Sequence, residues 1–299
     1  MNPYLRNFLA FLVGVIILSY IVWNLGIDKI AESLSKTRID YFLIAAIFYL
    51  INEFFASLAL KIPINAGIKD VMLAHMCGML YSNATPGRIG YYYTAFPIAK
   101  RTNKSISGNV GIITVIQGVN FLIKMILCII AIIYFSKLQH YFLFVSVIPI
   151  IILMVIFLVL YTDIVNRIIK RLSLINKFLK NVELMQKASR EIDNKTLMEI
   201  IIISFISWIF MSAQWYFIAY SLGAQMTFIT VLLLQPLLTT VMFIPISPAG
   251  LGITEGGGAI LFNILSLNQA TGVTFILLIR FNSIIVDSLG MIFSHNPSS

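Results

Sequence analysis

Apolar residues in this chain come in long runs, separated by short polar connections. Six runs are long enough to cross a bilayer as helices: residues 5–23, 41–60, 108–135, 141–161, 197–220 and 271–293. Two further apolar regions, 71–97 and 228–266, are interrupted. The first breaks at TPGRIG (85–90) and the second at SPAGLG (247–252), where proline and glycine end a helix before lipid-like sequence resumes. The two-residue alternation of a membrane barrel is absent. The first run, LRNFLAFLVGVIILSYIVW, exceeds a signal-peptide core and is followed by no small-residue cleavage site, so it reads as a retained helix.

Composition agrees with this pattern. Of 299 residues, 59% are hydrophobic and 11% charged, against roughly 25% charged in soluble domains. The chain is an integral membrane protein. Its net charge of +9 does not describe a nucleic-acid surface. Much of that charge sits in residues 163–195, where eight Lys/Arg face four acids and apolar residues recur with helical spacing. This segment is expected as one or two interfacial helices on the cytoplasmic side. Thr196-Leu-Met-Glu199 reads as a capping box opening the next helix. Cys77 and Cys128 both lie in apolar runs, so no disulfide framework is expected.

Charge also sets orientation. The connections 221–227 (SLGAQMT) and 267–270 (LNQA) are uncharged and fit the outside. Those at 61–70 and 100–104 carry Lys61, Lys69, Lys100, Arg101 and Lys104 and fit the inside. Loop 24–40 then falls outside with Lys29, Lys36 and Arg38, partly offset by Asp28, Glu32 and Asp40. In this scheme both termini are cytoplasmic, and the two interrupted regions return to the face they left. The expected fold is an all-α polytopic membrane protein, a single membrane domain over 1–299. It has six transmembrane helices and two opposed re-entrant helical hairpins in an inverted-repeat-like arrangement. Pro86, Gly87 and Gly90 shape one tip, and Pro248, Gly250 and Gly252 the other. Both follow the pattern hydroxyl-Pro-x-x-aliphatic-Gly.

Ionisable residues inside a membrane are costly and mark candidate sites. They are Glu53, Arg88, Lys124, Glu255, Arg280 and Asp287, three acidic and three basic. They either lock the bundle as salt bridges or line a translocation path. Arg280 and Asp287 are two turns apart on one face, so each is expected to meet another segment. Lys124 shares a polar stripe with Thr114, Gln117, Phe121 and Cys128, and Glu53 shares a face with Tyr49 and Ser57. Thr254 is expected to cap a half-helix from Glu255 to Leu265 whose N-terminal end suits an anion. Glu255 is expected to face Arg88. Gly256 to Gly258 either turn the backbone or let helices pack closely. His75 and Gln214 read as interhelical hydrogen bonders, and Tyr91 to Tyr93 as either cavity wall or interfacial belt. His75, His140 and His295 stand in separate elements, and there is no metal spacing, no nucleotide-binding motif and no hydrolase motif. No cofactor is expected.

PISPAGLGITEGG resembles the C-terminal Pro-x-x-Gly-Leu-Gly-x-x-Glu signature of the flippase-like membrane family typified by the transmembrane part of lysylphosphatidylglycerol synthase. Pro248, Gly250, Leu251, Gly252 and Glu255 match it, and Pro86, Gly87, Arg88 and Gly90 match the family's earlier motif. The resemblance covers essentially the whole chain. It departs where the family commonly has an acid and then an arginine: Tyr91 and Thr94 stand there. No counterpart of the soluble aminoacyl-transfer domain is recognised. The resemblance therefore implies lipid translocation in the cell membrane rather than synthesis, with no enzymatic step. An anionic or polyprenyl-phosphate-linked headgroup would cross a central polar cavity aided by Arg88, Lys124 and Arg280, with Glu53, Glu255 and Asp287 balancing charge or coupling protons. Expected partners are membrane lipids and a lipid-modifying enzyme or glycosyltransferase. The alternative is an intramembrane enzyme, or an accessory subunit of lipid-linked glycosyl transfer.

Overall fold

The computed structural model describes residues 3–102, 105–135, 142–171 and 176–294. Lys104, His140, His295 and residues 172–175 of the basic segment lie outside them. The elements run α1 (Pro3–Leu25), α2 (Ile27–Ser35), α3 (Ile39–Ile64) and α4 (Ile68–Asn83), then a 3-10 turn over Ile89–Thr94. They continue with α5 (Ala95–Thr102), α6 (Ile106–Tyr134), α7 (Phe142–Tyr161) and α8 (Ile164–Arg171), then a short 3-10 turn, Asn176–Phe178. The last are α9 (Leu179–Arg190), α10 (Asn194–Ser221), α11 (Phe228–Val241), α12 (Ile253–Ile264) and α13 (Gln269–Ser294). Among the described residues there is no strand, only an isolated antiparallel bridge between Pro86 and Pro248.

Five helices, α1, α3, α6, α10 and α13, are each long and apolar enough to cross a membrane. Val147–Tyr161 of α7 and the basic helix α8 together form a sixth candidate, bent by 74° at their junction. The chain is thus a multi-pass membrane protein. Its lipid-like exterior follows from that: Trp23 is 85% exposed and Ile133 72%, which only a hydrocarbon surround tolerates at this density.

Two local expectations are corrected. The helix after the basic segment does not begin at Thr196. It begins two residues earlier, capped by Asp193, whose carboxylate accepts from the Thr196 N–H at 2.7 Å. A carboxylate at a helix N-terminus satisfies a free donor and the dipole together, and the Thr196 N–H holds the Asp193 carboxyl below the usual range. The stretch 24–40 is not simply a charged loop, because Ile27–Ser35 forms α2 with Ile30 and Ser33 turned inward. Its outer charges pair locally, Lys36 with Glu32 at 2.6 Å and Arg38 with Asp40 at 2.7 Å.

Among the described residues the two largest of four apolar clusters lie one beside each interrupted region. Leu60, Ile64, Val71, Ile98, Ile113 and Ile200 belong to the core around α4 and α5. Trp215, Leu234, Phe262 and Phe275 belong to the core around α11 and α12. The most extensive helix pair, α3 with α10, is joined by stacked rings, Phe48 on Phe217 at 5.1 Å and Phe55 on Phe210 at 5.3 Å. Close approach of α12 to α13 depends on glycine. A Cβ on Gly258 would lie 2.7 Å from the Gly272 carbonyl oxygen. The glycine run after the break therefore includes a helix-packing contact.

Candidate functional site

The two breaks have the same local shape. After Pro86, Gly87 and Arg88 take φ of 63° and 58°; after Pro248, Ala249 and Gly250 take 45° and 70°. In both, an N–H closes back onto the hydroxyl residue before the proline: Arg88 N to Thr85 O and Gly250 N to Ser247 O, each 3.2 Å. The tips also touch, through the Pro86–Pro248 bridge and a hydrogen bond from Ala249 N to Thr85 O at 3.3 Å. Left-handed backbone at Arg88 and Ala249, which are not glycines, costs roughly 1–3 kcal/mol per residue and persists only where surroundings enforce it.

Glu255 belongs to the second tip. It is fully buried at the third position of α12. Its Oε2 accepts from the Gly252 N–H at 2.7 Å, and its Oε1 accepts from Arg280 Nη2 at 2.9 Å and Nε at 3.1 Å. Arg280 also reaches the Ala249 carbonyl at 3.4 Å. Two expectations fall here. Glu255 pairs with Arg280, not Arg88, because its position in the first turn of α12 aims it at α13. Thr254 is not the cap, since its hydroxyl donates to Gly250 O and α12 starts at Ile253 after Gly252. The anion at this helix end is Glu255 itself.

Glu53, Arg88 and Lys124 line a cavity of about 300 Å³ between α3, α4, α6, α10 and the first tip. Arg88 is half-buried and faces it. Its Nε and Nη2 donate to Ser82 Oγ at 3.3 and 3.1 Å, and its other contacts are the sulfurs of Met242 and Met79. Lys124 faces the same cavity from α6, with Nζ 4.2 Å from the centre of the Phe243 ring, 5.0 Å from Phe121 and 5.5 Å from Trp208. Among the described residues neither cation has a carboxylate within ion-pair distance. An aromatic cage stabilises a cation modestly and leaves its donors free.

Glu53 is fully buried beside the cavity. Asn52 Nδ2 donates to its Oε1 at 3.2 Å, and Ser207 holds Asn52 by donating to Oδ1 at 2.7 Å. Its Oε2 lies 3.2 Å from His75 Nε2, off the line of a hydrogen bond, so both atoms are buried with no hydrogen-bond partner. His75 Nδ1 bonds to Tyr91 OH at 2.8 Å. Asp287 meets α3 instead, where Tyr49 OH donates to both its oxygens at 3.2 and 3.3 Å. Arg280 and Asp287 thus part to different segments. A smaller cavity of about 50 Å³, walled by Tyr49, Arg88, Thr239 and Arg280, lies on the other side of Arg88.

The three tyrosines divide. Tyr91 is buried on His75, Tyr92 meets Thr114 at 3.3 Å, and Tyr93 is exposed on Tyr81 and Phe96. His75 is the residue whose role the sequence understates. Its interhelical bond to Tyr91 was expected in kind, but its place against Glu53 depends on how α3 packs on α4. The one available signal is the polar face made by Tyr49, Asn52 and Glu53 at helical spacing. Gln214 is an interhelical bonder, donating to Asn282 Oδ1 at 2.9 Å and Ser283 Oγ at 3.1 Å. The described residues include no group of three His, Cys, Asp or Glu that could hold a metal.

Comparison with known proteins adds the family. No curated protein and no solved structure matches the chain. The family described as the lysylphosphatidylglycerol synthase TM region matches residues 7–290, which spans both helix breaks and every charged residue above. The chain belongs to that family of membrane regions.

Proposed function

We propose that this chain is a lipid translocator, moving lipid without making or breaking a covalent bond. An anionic headgroup, a phosphodiester or a polyprenyl-linked phosphate, occupies the cavity between Arg88 and Lys124 while its tails stay in the bilayer. One observation carries the reading: two cations that have no carboxylate partner among the described residues face one internal cavity beside the first helix break. An unpaired cation away from water costs several kcal/mol unless an anion joins it. At about 300 Å³ the cavity is at the lower end of ligand sites, which run from roughly 300 to 1,000 Å³. It suits a headgroup and is too small for acyl chains.

The same reading takes the two hairpins as re-entrant and related by inverted repetition, with their touching tips as the point where the two halves separate during alternating access. Support comes from the shared Pro-then-left-handed geometry and the Pro86–Pro248 bridge. Basic connections place both termini in the cytoplasm of a cell membrane. Cysteine labelling at positions 224 and 268 should then report the outside, and at 66 and 180 the inside. A lipid-modifying enzyme or glycosyltransferase would supply or consume the cargo.

The test is reconstitution into liposomes carrying a headgroup-labelled phosphatidylglycerol, with leaflet exchange followed by quenching from outside. Exchange above protein-free vesicles supports the reading. Folded protein that exchanges neither this lipid nor a polyprenyl phosphate overturns it. Covalently altered lipid in the same incubation would favour an intramembrane enzyme instead.

A further inference from the structure

Two cavities flank Arg88. The large one is lined by Lys124 and Glu53, and the small one, of about 50 Å³, by Arg280 and Tyr49. Met79, Arg88 and Met211 line both. Met79 comes from α4, Met211 from α10 and Arg88 from the first tip, so long unbranched side chains make up much of the divide. Met242 and Phe243, consecutive residues after α11, stand on its two sides: Met242 lines the small cavity and Phe243 the large.

Such a divide moves easily. Methionine has three rotatable side-chain bonds and a soft thioether, so it re-packs without displacing backbone. Both methionines are half-buried, with room on their cavity sides. Arg88 is tied as loosely. Its partners are Ser82 Oγ and the sulfurs of Met79 at 3.8 Å and Met242 at 4.0 Å. A thioether sulfur is a weak acceptor. An anion on either side of the divide offers the guanidinium a much stronger bond.

The small cavity presents polar groups of its own. Gln214 lines it and is fully buried, and its Oε1 has no hydrogen-bond partner, because only Nε2 is used, on Asn282 and Ser283. Arg88, Arg280 and Ser283 wall the same space. Arg280 is neutralised by Glu255, so Arg88 supplies the uncompensated positive charge. A lone buried acceptor beside guanidinium donors suits a hydroxyl-bearing phosphodiester, with the hydroxyl on Gln214 and the phosphate on Arg88. At about 50 Å³ the space holds a few waters, not a whole headgroup. It admits one only when the methionines swing aside and the two cavities join.

Resting on the translocation reading above, we propose that Met79 and Met211 form a movable septum in the lipid path. An anionic headgroup taken up between Lys124 and Arg88 crosses this septum into a second station between Arg88, Arg280 and Gln214. Arg88 stays with the anion through the crossing. Binding in the large cavity and transit into the small one are then separate steps with separate residues.

The test reads the two steps apart. Calorimetric titration of purified full-length protein in detergent with dihexanoylphosphatidylglycerol gives binding. Leaflet exchange of headgroup-labelled phosphatidylglycerol in liposomes gives transit. The double variant Met79→Ile/Met211→Ile stays apolar and close in volume, but β-branching in a helix fixes χ1. It should bind within about twofold of wild type. It should exchange at least about fivefold more slowly, the cost of driving two such side chains off their rotamers. Met79→Leu/Met211→Leu, a volume-conserving pair that protects folding, should fall between, and it is judged by the same outcomes if the Ile pair does not fold. Thr239→Leu fills the small cavity alone, a change that commonly stabilises, and should bind normally but exchange more slowly. Met198→Ile, on an exposed face of α10, should alter neither. Wild-type exchange in both the methionine pair and Thr239→Leu overturns septum and station while leaving translocation standing. Slowed exchange in the pair alone overturns the second station, and slowed exchange in Thr239→Leu alone overturns the septum. Binding lost together with exchange in the folded pair puts the methionines in the headgroup site and overturns the septum as well. Folded wild type that exchanges no lipid overturns both readings.

Discussion

The second helix break depends on one buried ion pair, and Glu255→Gln measures it. The wild-type carboxylate accepts three hydrogen bonds, two from Arg280 at 2.9 and 3.1 Å and one from Gly252 N at 2.7 Å. Glutamine keeps one acceptor oxygen and loses the charge, so Arg280 is left facing an amide. Removing one partner of a buried pair costs about 3–5 kcal/mol. The Arg280 side chain is 15% exposed, which eases its isolation slightly. The lower end, about 3 kcal/mol, is therefore expected. The second cycle partner is Arg280→Met, which replaces the cation by an apolar chain. Removing both members of such a pair is often close to neutral, so the double variant should recover about 2 kcal/mol relative to the sum of the singles. Equilibrium unfolding in mixed micelles of increasing SDS content, followed by circular dichroism, gives the four free energies. A single-variant cost below about 1 kcal/mol, or a double variant as unstable as the summed singles, refutes the reasoning. The same experiment separates two roles for Glu255, because transport lost in Glu255→Gln and regained in the double variant belongs to tip architecture rather than to headgroup contact.

Three further outcomes are expected. Lys124→Met keeps the volume of the caged side chain and removes its charge, so stability should hold within about 1.5 kcal/mol while lipid exchange falls at least about tenfold, equivalent to about 1.4 kcal/mol; undiminished exchange would remove Lys124 from the path. Gly258→Val drives a side chain into the Gly272 carbonyl and should destabilise by about 1–3 kcal/mol, seen as a lower thermal midpoint. Pro86→Cys with Pro248→Cys should form a disulfide on mild oxidation, because antiparallel bridge partners sit about 4.5–5.5 Å apart, within disulfide range. Blocked exchange that reduction restores is the expected readout, whereas cysteines at positions 88 and 255 should crosslink poorly.

The sequence by itself determined the membrane class, the long helices and the two breaks. Hydrocarbon thickness demands long apolar runs, and proline with glycine interrupts them whatever the surroundings. The equivalence of TPGRIG and SPAGLG was legible as a pattern, and it surfaced as matching left-handed turns at residues 87–88 and 249–250. Smaller features went astray where local signals compete. Asp193 displaced Thr196 as the cap, since two good capping residues stand three positions apart. The helix Ile27–Ser35 is only nine residues long, and Asp28, Lys29 and Glu32 interrupt its apolar positions Ile27, Ile30 and Leu34, so its pattern resembles a charged connection. Tertiary structure alone decided the partners. Glu255 meets Arg280, Asp287 meets Tyr49, and Glu53 meets His75, leaving Arg88 and Lys124 to the cavity. An ionisable group in a membrane must find compensation, and sequence reveals that need. Which group supplies it depends on how the helices rotate and cross, and that is set by glycine contacts, stacked phenylalanines and apolar volume far from the charges themselves.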